Sequence, residues 1–319
     1  MKRVLKIDPS IGSLNIGDEI ISKGIDTQLN YFLKDKFVTT ISSHLPLNNS
    51  FSNIFSTFDF RLICGSNLLS SQMWNVLNRQ FGLGFAKAKK IGPMILVGVG
   101  WQKYGSKPDF LTRKFLKRIL SKNGLHSVRD EYTKRMLELC GIKNVIITGC
   151  PTMWKFDNDF CKLIKTKKAN SVVFTLTDYS QDKKNDLKLV KTLIEKYENV
   201  YFWPQGSGDM EYFNSFGFSE RVNLINANLS AFEELITKTD IDYVGTRLHG
   251  GIFALQHMKR SIIISIDNRA KEISKSTNLP ILERNEMSDL GKLIDSDIVY
   301  DIRMPLEKIN EWKNQFNGK

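Results

Sequence analysis

Much that would fix a function at sight is missing from this sequence. Its four cysteines, Cys64, Cys140, Cys150 and Cys161, form no C-x-x-C pair, so neither a zinc site nor a disulfide framework is expected. No His or carboxylate cluster has metal-ligand spacing; no resident cofactor is expected, and a divalent cation is admitted only as an accessory. There is no run of about 18 apolar residues, which excludes a transmembrane helix. The N-terminal Met-Lys-Arg-Val-Leu-Lys-Ile-Asp turns polar too early for a secretory signal, so a cytoplasmic protein is expected. Zinc-finger, ribonucleoprotein-aromatic and heptad-linked basic patterns are all missing, so no nucleic-acid partner is expected.

Positive charge is abundant instead. Lys and Arg number 46 against 34 Asp and Glu, a formal +12. That excess attracts anionic substrates, anionic membrane surfaces or polyanions without choosing among them. Residues such as Lys183, Lys184, Lys188 and Lys191 are spread over predicted helices, as on a solvated surface.

At 319 residues the chain has room for two domains of common size. Predicted strands alternate with predicted helices. Residues 3–7 precede a helix with Ile21, Ile25, Leu29 and Phe32 on one face, and residues 62–65 precede a helix-like segment with Met73, Trp74 and Leu77. A strand over 94–99 precedes a helix through Leu111, Phe115 and Ile119 that Gly124 can end, and another helix over 132–140 leads to a strand at 145–148. Residues 157–169 are polar and lysine-rich and read as a linker. The alternation resumes at 172–176, with a helix through Leu187, Val190 and Ile194, a strand at 200–203, a capping box at 230–233 and a strand at 261–266. The expected fold class is α/β, with two doubly wound Rossmann-like domains, residues 1–156 and 170–303, facing across a cleft, and a C-terminal helix over 304–319 bearing Ile309, Trp312 and Phe316 on one face.

Two strand-to-helix junctions carry candidate chemistry. At the later one, Val244-Gly-Thr-Arg-Leu-His-Gly-Gly251, a buried strand runs into a helix with Arg247 and His249 at its start. Gly250 and Gly251 there each cost about 1 kcal/mol relative to Ala, a cost that fits close backbone approach to a ligand. A helix start favours an anion, Arg247 can grip it with paired donors, and His249 can move protons. Capping or packing by the same residues is the competing reading. The earlier junction, Gly12-Ser-Leu-Asn-Ile-Gly-Asp-Glu19, has the same architecture, without G-x-G-x-x-G spacing or a G-K-[ST]. Asp18 and Glu19 suit a first helical turn whether or not they react.

Asn15-Ile-Gly-Asp18-Glu19, Val128-Arg129-Asp130, Arg247-Leu248-His249 and Asp267 with Lys271 resemble, in order and approximate spacing over residues 4–275, the polysaccharide pyruvyl transferase family. The resemblance implies a fold like that of GT-B glycosyltransferases and transfer of pyruvate from phosphoenolpyruvate, as co-substrate, to sugar hydroxyls as a cyclic ketal. It implies phosphoenolpyruvate binding by Arg129, Arg247, Leu248 and His249, with Gly250 and Lys271 beside them. Arg129 followed by Asp130 also reads as an ion pair. Ketal formation needs a proton donor and a base, and the hypothesis is that His249 is the acid or base nearest the reacting carbon, with Asp18 or Glu19 as the opposing base on the acceptor hydroxyl. Asn15 and Trp101 are candidates for the acceptor, Trp101 by stacking on a sugar or else as a core residue. The chain departs from the family at Cys64-Gly-Ser-Asn67 and at Cys150-Pro151. The implied partner is a saccharide, with a lipid-linked one and peripheral contact with the anionic inner membrane face compatible with the charge. Two other functions fit the same residues: a GT-B nucleotide-sugar glycosyltransferase, and a non-catalytic protein binding an anionic polymer or membrane.

Overall fold

A computed structural model describes residues 1–46, 54–75, 81–82 and 91–318. They form two compact units, one of Met1–Ser13, Ile21–Trp154 and Met304–Lys319, the other of Leu14–Ile20 and Lys155–Arg303.

In the first unit, β1 (Arg3–Asp8) is buried along all but its first residue, as a strand covered on both faces requires. Helix α1 (Gly17–Leu33) starts in the second unit's segment and enters the first, where Ile21, Ile25, Leu29 and Phe32 are buried at helical spacing. Strands β2 (Phe37–Ser42), β3 (Phe60–Cys64) and β4 (Ile95–Val97) join β1 in a parallel sheet of order β2-β1-β3-β4. Residues 71–74 form a turn where a helix is expected, and Leu77 lies outside the described residues. Helix α2 (Phe110–Ile119) is capped by Asp109, whose carboxylate accepts the Thr112 N–H, and gives way to extended backbone at Leu120, before Gly124. Strand β5 (His126–Val128), helix α3 (Glu131–Leu139) and strand β6 (Val145–Ile147) complete the unit's α/β alternation. β5 pairs with β6, and a parallel bridge between Val99 and Val128 carries the order on from β4.

The second unit opens with α4 (Asn158–Leu163), a helix inside the expected linker. Asp157 caps it by accepting the Phe160 N–H at 2.7 Å, a local bond that polar composition does not announce. Then follow β7 (Ser171–Thr175), α5 (Lys183–Lys196), β8 (Asn199–Phe202), α6 (Asp209–Asn214), β9 (Asn223–Leu224), α7 (Leu229–Lys238), β10 (Ile241–Gly245), α8 (Leu248–Gln256), β11 (Ser261–Ser265), α9 (Asn268–Thr277), β12 (Ile281–Glu283) and α10 (Leu290–Asp295). The cap of α7 is Asn228, which accepts the Ala231 N–H, so Ser230 sits inside the helix rather than opening a capping box. The sheet order β12-β11-β10-β7-β8-β9 is parallel throughout. Counted within the unit it reads 6-5-4-1-2-3, the Rossmann order, with its reversal between β7 and β10.

Residues 304–319 belong with the first unit. There α11 (Leu306–Asn314) buries Ile309 and Trp312, Trp312 meets Trp154 edge-on at 5.5 Å, and Phe316 meets Phe32 at 4.7 Å.

Inside the first unit His126 is wholly buried, its Nδ1 accepting the Leu96 N–H at 3.2 Å and its Nε2 2.9 Å from the Ser121 carbonyl. That pairing fixes the neutral Nε2–H tautomer, and burial pulls the imidazole pKa down to about 4 despite the Ser121 carbonyl. Between about pH 4 and 6.5 the unfolded chain takes up a proton there that the folded chain refuses. Stability from this site is therefore complete above about 6.5 and falls as the pH is lowered toward 4. His126→Gln is expected to melt lower at neutral pH and to show a shallower rise of Tm between pH 4 and 6.5. A slope as steep as that of the unaltered protein would remove His126 as its source.

Candidate functional site

Parallel sheets of this order place ligands beyond the strand C-termini where the order reverses. In the second unit those ends bring together the loop after β7, the loop after β8, and the starts of α8 and α9. Between them lies a small pocket open to solvent, lined by the polar residues Asn15, Tyr179, Gln205, Thr246, Arg247, His249, Asp267 and Arg269 and by Leu248, Ile264, Ile266 and Ala270.

Asp209, fully buried at the first position of α6, organises this end of the sheet. Its carboxylate accepts the N–H groups of Gly206 at 2.7 Å, Asp178 at 3.0 Å and Gln205 at 3.1 Å, so one side chain pins the loops after β7 and β8. It also receives Arg247 through both Nε, at 3.1 Å, and Nη2. Burial raises the Asp209 carboxyl above its ordinary range, with the Arg247 charge and the backbone donors pulling the other way.

Arg247 is therefore no free clamp. Besides Asp209, its Nε donates to the Leu176 carbonyl at 3.1 Å and its Nη2 to Asp178 at 2.8 Å, and its guanidinium lies 5.0 Å from the Tyr179 ring centre. Asp178 is the more accessible partner, 28% exposed against 0% for Asp209. Arg269, 39% exposed, donates to Asp267 through Nε at 2.8 Å and through Nη2, and to the Tyr179 hydroxyl at 3.0 Å. Burial pushes the Asp267 carboxyl up, but the Arg269 charge and the N–H groups of Arg269 and Ala270 outweigh it and hold the group below its ordinary range. Three carboxylates thus accompany the two guanidinium groups.

His249 and Leu248 stand half-buried in the first turn of α8, lining the pocket. That turn's leading amides lack intrahelical acceptors by position and favour negative charge. Gly250 and Gly251, expected to allow close approach to a ligand, also have a packing reason to lack side chains. A Cβ on Gly251 would stand 2.3 Å from Ile263 Cγ1, and one on Gly250 would stand 2.9 Å from the Tyr243 hydroxyl and 3.0 Å from Gln205 Oε1. Their missing side chains let α8 lie close on its own sheet.

Asn15 joins the pocket from far away in sequence. Its side-chain oxygen accepts Gln205 Nε2 at 3.0 Å and the Gly17 N–H at 3.1 Å, the Ile16 N–H donates to the Gln205 carbonyl at 2.9 Å, and the Ser207 N–H donates to the Leu14 carbonyl at 3.0 Å. Gln205 is 3% exposed and its Oε1 has no hydrogen-bond partner among the described residues. Asp18, half-buried, and Glu19, exposed, lie in the first turn of α1 and are not part of the pocket lining.

Lys271 pairs with Glu283 at 2.8 Å and is likewise outside the lining. With Asp267 as N-cap, the second helical position points back to the cap and the fourth toward β12, so Arg269 rather than Lys271 lines the pocket. Arg129, in the first unit at the end of β5, is 7% exposed and donates to Asp130 through Nε and Nη2, both at 3.2 Å. Trp101 is a correction: at 1% exposure it is core, its indole N–H donating to Ser71 at 3.2 Å, and neither ring face is available to a sugar. Asp178, Tyr179, Asp209 and Arg269 escaped sequence reasoning. The turn Pro204-Gln-Gly-Ser-Gly-Asp209 after a strand was the signal for Asp209. Among the described residues no group of three or more His, Cys, Asp or Glu is placed to hold a metal ion.

A family model described as polysaccharide pyruvyl transferase matches residues 15–268, a span that takes in Asn15, Arg129 and the whole Arg247-Leu248-His249 junction. The chain belongs to this family. Among curated proteins none matches it. Solved structures that it resembles include UDP-GlcNAc 2-epimerase from Neisseria meningitidis bound to UDP-GlcNAc, at 13% identity and a TM-score of 0.48 over 99% of this chain and 97% of that one. Another is Acinetobacter baumannii MurG, at 11% identity and a TM-score of 0.38 over 99% and 94%. Likeness this loose says nothing of what a member of the pyruvyl transferase family binds.

The two carboxylates on Arg247 should behave differently when removed. Asp209→Asn removes the buried countercharge of Arg247, leaving it only the partly exposed Asp178, and is expected to cost about 3 kcal/mol in urea unfolding. Asp178→Asn is expected to change stability by less than about 1 kcal/mol and to strengthen binding of inorganic phosphate up to about fivefold, since it removes a partly exposed competitor for the same donor. Unchanged or weaker phosphate binding would show that Asp178 does not occupy the anion's seat. Gly251→Ala is expected to cost about 1–3 kcal/mol by overpacking, with part of the loss recovered when Ile263 is also changed to Ala. Loss of ligand affinity at unaltered stability would return the glycine to a ligand role.

Proposed function

We propose that the protein transfers the pyruvate of phosphoenolpyruvate onto two hydroxyls of a saccharide as a cyclic ketal. The observation that carries this reading is the coincidence of the family's Arg-Leu-His tripeptide with the reversal point of a Rossmann-ordered sheet, where it lines a pocket at the start of a helix.

The reaction protonates C3 of phosphoenolpyruvate, adds one sugar hydroxyl at C2, expels phosphate and adds the second hydroxyl. An oxocarbenium-like centre develops at C2, so the site needs a proton donor, a base and a hold on the departing phosphate. In this proposal the phosphate or carboxylate displaces Asp178 from Arg247, while Asp209 keeps the guanidinium in place and Arg269 takes the other anionic end. His249 moves the proton at the reacting carbon. The opposing base is Asp18 or Glu19, and Asn15 orients the acceptor. Arg129 contributes to phosphoenolpyruvate binding as the family resemblance implies. We infer a cytoplasmic reaction without a resident cofactor, on a saccharide or its lipid-linked precursor.

Phosphate release from phosphoenolpyruvate over a panel of saccharides tests the reading, alongside thermal shifts with phosphoenolpyruvate and with uridine diphosphate. Stabilisation by the nucleotide alone would favour a nucleotide-sugar glycosyltransferase. His249→Gln is expected to leave phosphoenolpyruvate affinity within roughly tenfold and to cut turnover by about 10² or more. A collapse of binding would make His249 a holding residue instead. Arg247→Lys is expected to abolish transfer although charge is kept, because an ammonium cannot reproduce the fork across Asp209 and the Leu176 carbonyl. Near-normal turnover in a folded Arg247→Lys protein would take the anion-holding role away from Arg247.

A further inference from the structure

The net charge is divided very unevenly between the units. The first carries 25 Lys and Arg against 10 Asp and Glu, a formal +15, and the second 21 against 24, a formal −3. The pocket assigned to an anionic substrate belongs to the acidic unit, so drawing in a small anion does not account for the excess.

Residues 110–122 hold five Lys and Arg and no Asp or Glu. In α2, Phe115, Leu116 and Ile119 enter the core, while Arg113, Lys114, Lys117 and Arg118 are exposed. The start of the same helix presents apolar groups to solvent: Phe110 is 75% exposed and Leu111 44%. Trp74, 45% exposed, joins them because its indole N–H donates to the capping carboxylate of Asp109.

A solvated helix keeps Phe and Trp inside, and a face that grips only phosphates has no use for bare Phe and Leu. Both features belong together at a lipid surface, where rings enter the headgroup boundary and cations meet anionic headgroups. Among the described residues no helix is long and apolar enough to cross a membrane, so such contact is peripheral. We infer that α2 docks the protein on an anionic lipid bilayer, with Phe110, Leu111 and Trp74 in the interface and the basic face of the helix against the headgroups. This inference does not depend on the reaction proposed above, and its test involves no turnover.

The full chain is sedimented with vesicles of neutral phosphatidylcholine and of phosphatidylcholine mixed with phosphatidylglycerol, each variant being checked for folding by circular dichroism. Binding is expected to anionic vesicles at low salt, to be lost by about 0.5 M salt, and to be weak with neutral ones. Lys114→Gln with Lys117→Gln is expected to reduce anionic-vesicle binding roughly 25-fold, about fivefold per cation. Phe110→Ser should reduce it at every salt concentration. Lys188→Gln with Lys191→Gln, on the second unit, should leave it unchanged. No binding to anionic vesicles, equal binding to neutral ones, or equal loss from the control pair would overturn the assignment. So would displacement by a single-stranded oligonucleotide whose own binding ignores Phe110→Ser, which would make the face a polyanion site.

Discussion

The second unit depends on one buried ion pair. Asp209, at the start of α6, and Arg247, the N-cap residue of α8, lie 38 residues apart in the chain and meet beyond the strand ends where the sheet order reverses. Neither charge could stay there alone, since an unpaired buried ion costs several kcal/mol. Together, with three backbone donors on Asp209 and the Leu176 carbonyl on Arg247, they fix the ends of β7, β8 and β10 in one arrangement. Around this pair stand less deeply buried groups, Asp178, Tyr179 and His249. The pocket thus has its most deeply buried cation already held, with Asp178 the outer and more accessible of its two carboxylate partners.

Much of the fold was legible in the sequence because it is written in local periodicity. Runs such as Ser261–Ser265 and the Ile21, Ile25, Leu29 series encode strand and helix without reference to the rest of the chain. Caps were less secure. Asn228 competed with a well-formed Ser-x-x-Glu pattern two residues on, and α4 hid in a lysine-rich stretch because its Asp157 cap and the contacts of Phe160 and Cys161 leave no periodic apolar pattern. For the site, Arg247 and His249 were identifiable because a strand-to-helix junction places them. Their partners were not, since Asp178 and Asp209 approach through tertiary contacts that no local pattern records. Gly250 and Gly251 show the same limit: the sequence signals that something comes close, and only the packed structure shows that it is Ile263 and Tyr243. Trp101, likewise, could be assigned to core or surface only by the neighbours that enclose it.

The net charge alone hides how it is distributed. A formal +12 describes a sum, and the sum conceals a basic unit and a mildly acidic one, because their boundaries do not fall at one point in the chain. Once residues 14–20 and 304–319 are assigned to the units they pack with, the excess falls wholly on the unit without the pocket.

That exchange of segments also bears on how the chain is made. A ribosome releases residues in order, yet the first unit's core includes Trp312 and Phe316, and the second unit's pocket includes Asn15. The β2-β1-β3-β4 sheet must wait for Trp312 and Phe316, made much later, to seal its unit, while the Leu14–Ile20 strap must stay available until Gln205 to Ser207 have emerged. Neither unit can therefore finish folding as soon as its main stretch of chain is made, and a cut near residue 155 would leave two incomplete halves.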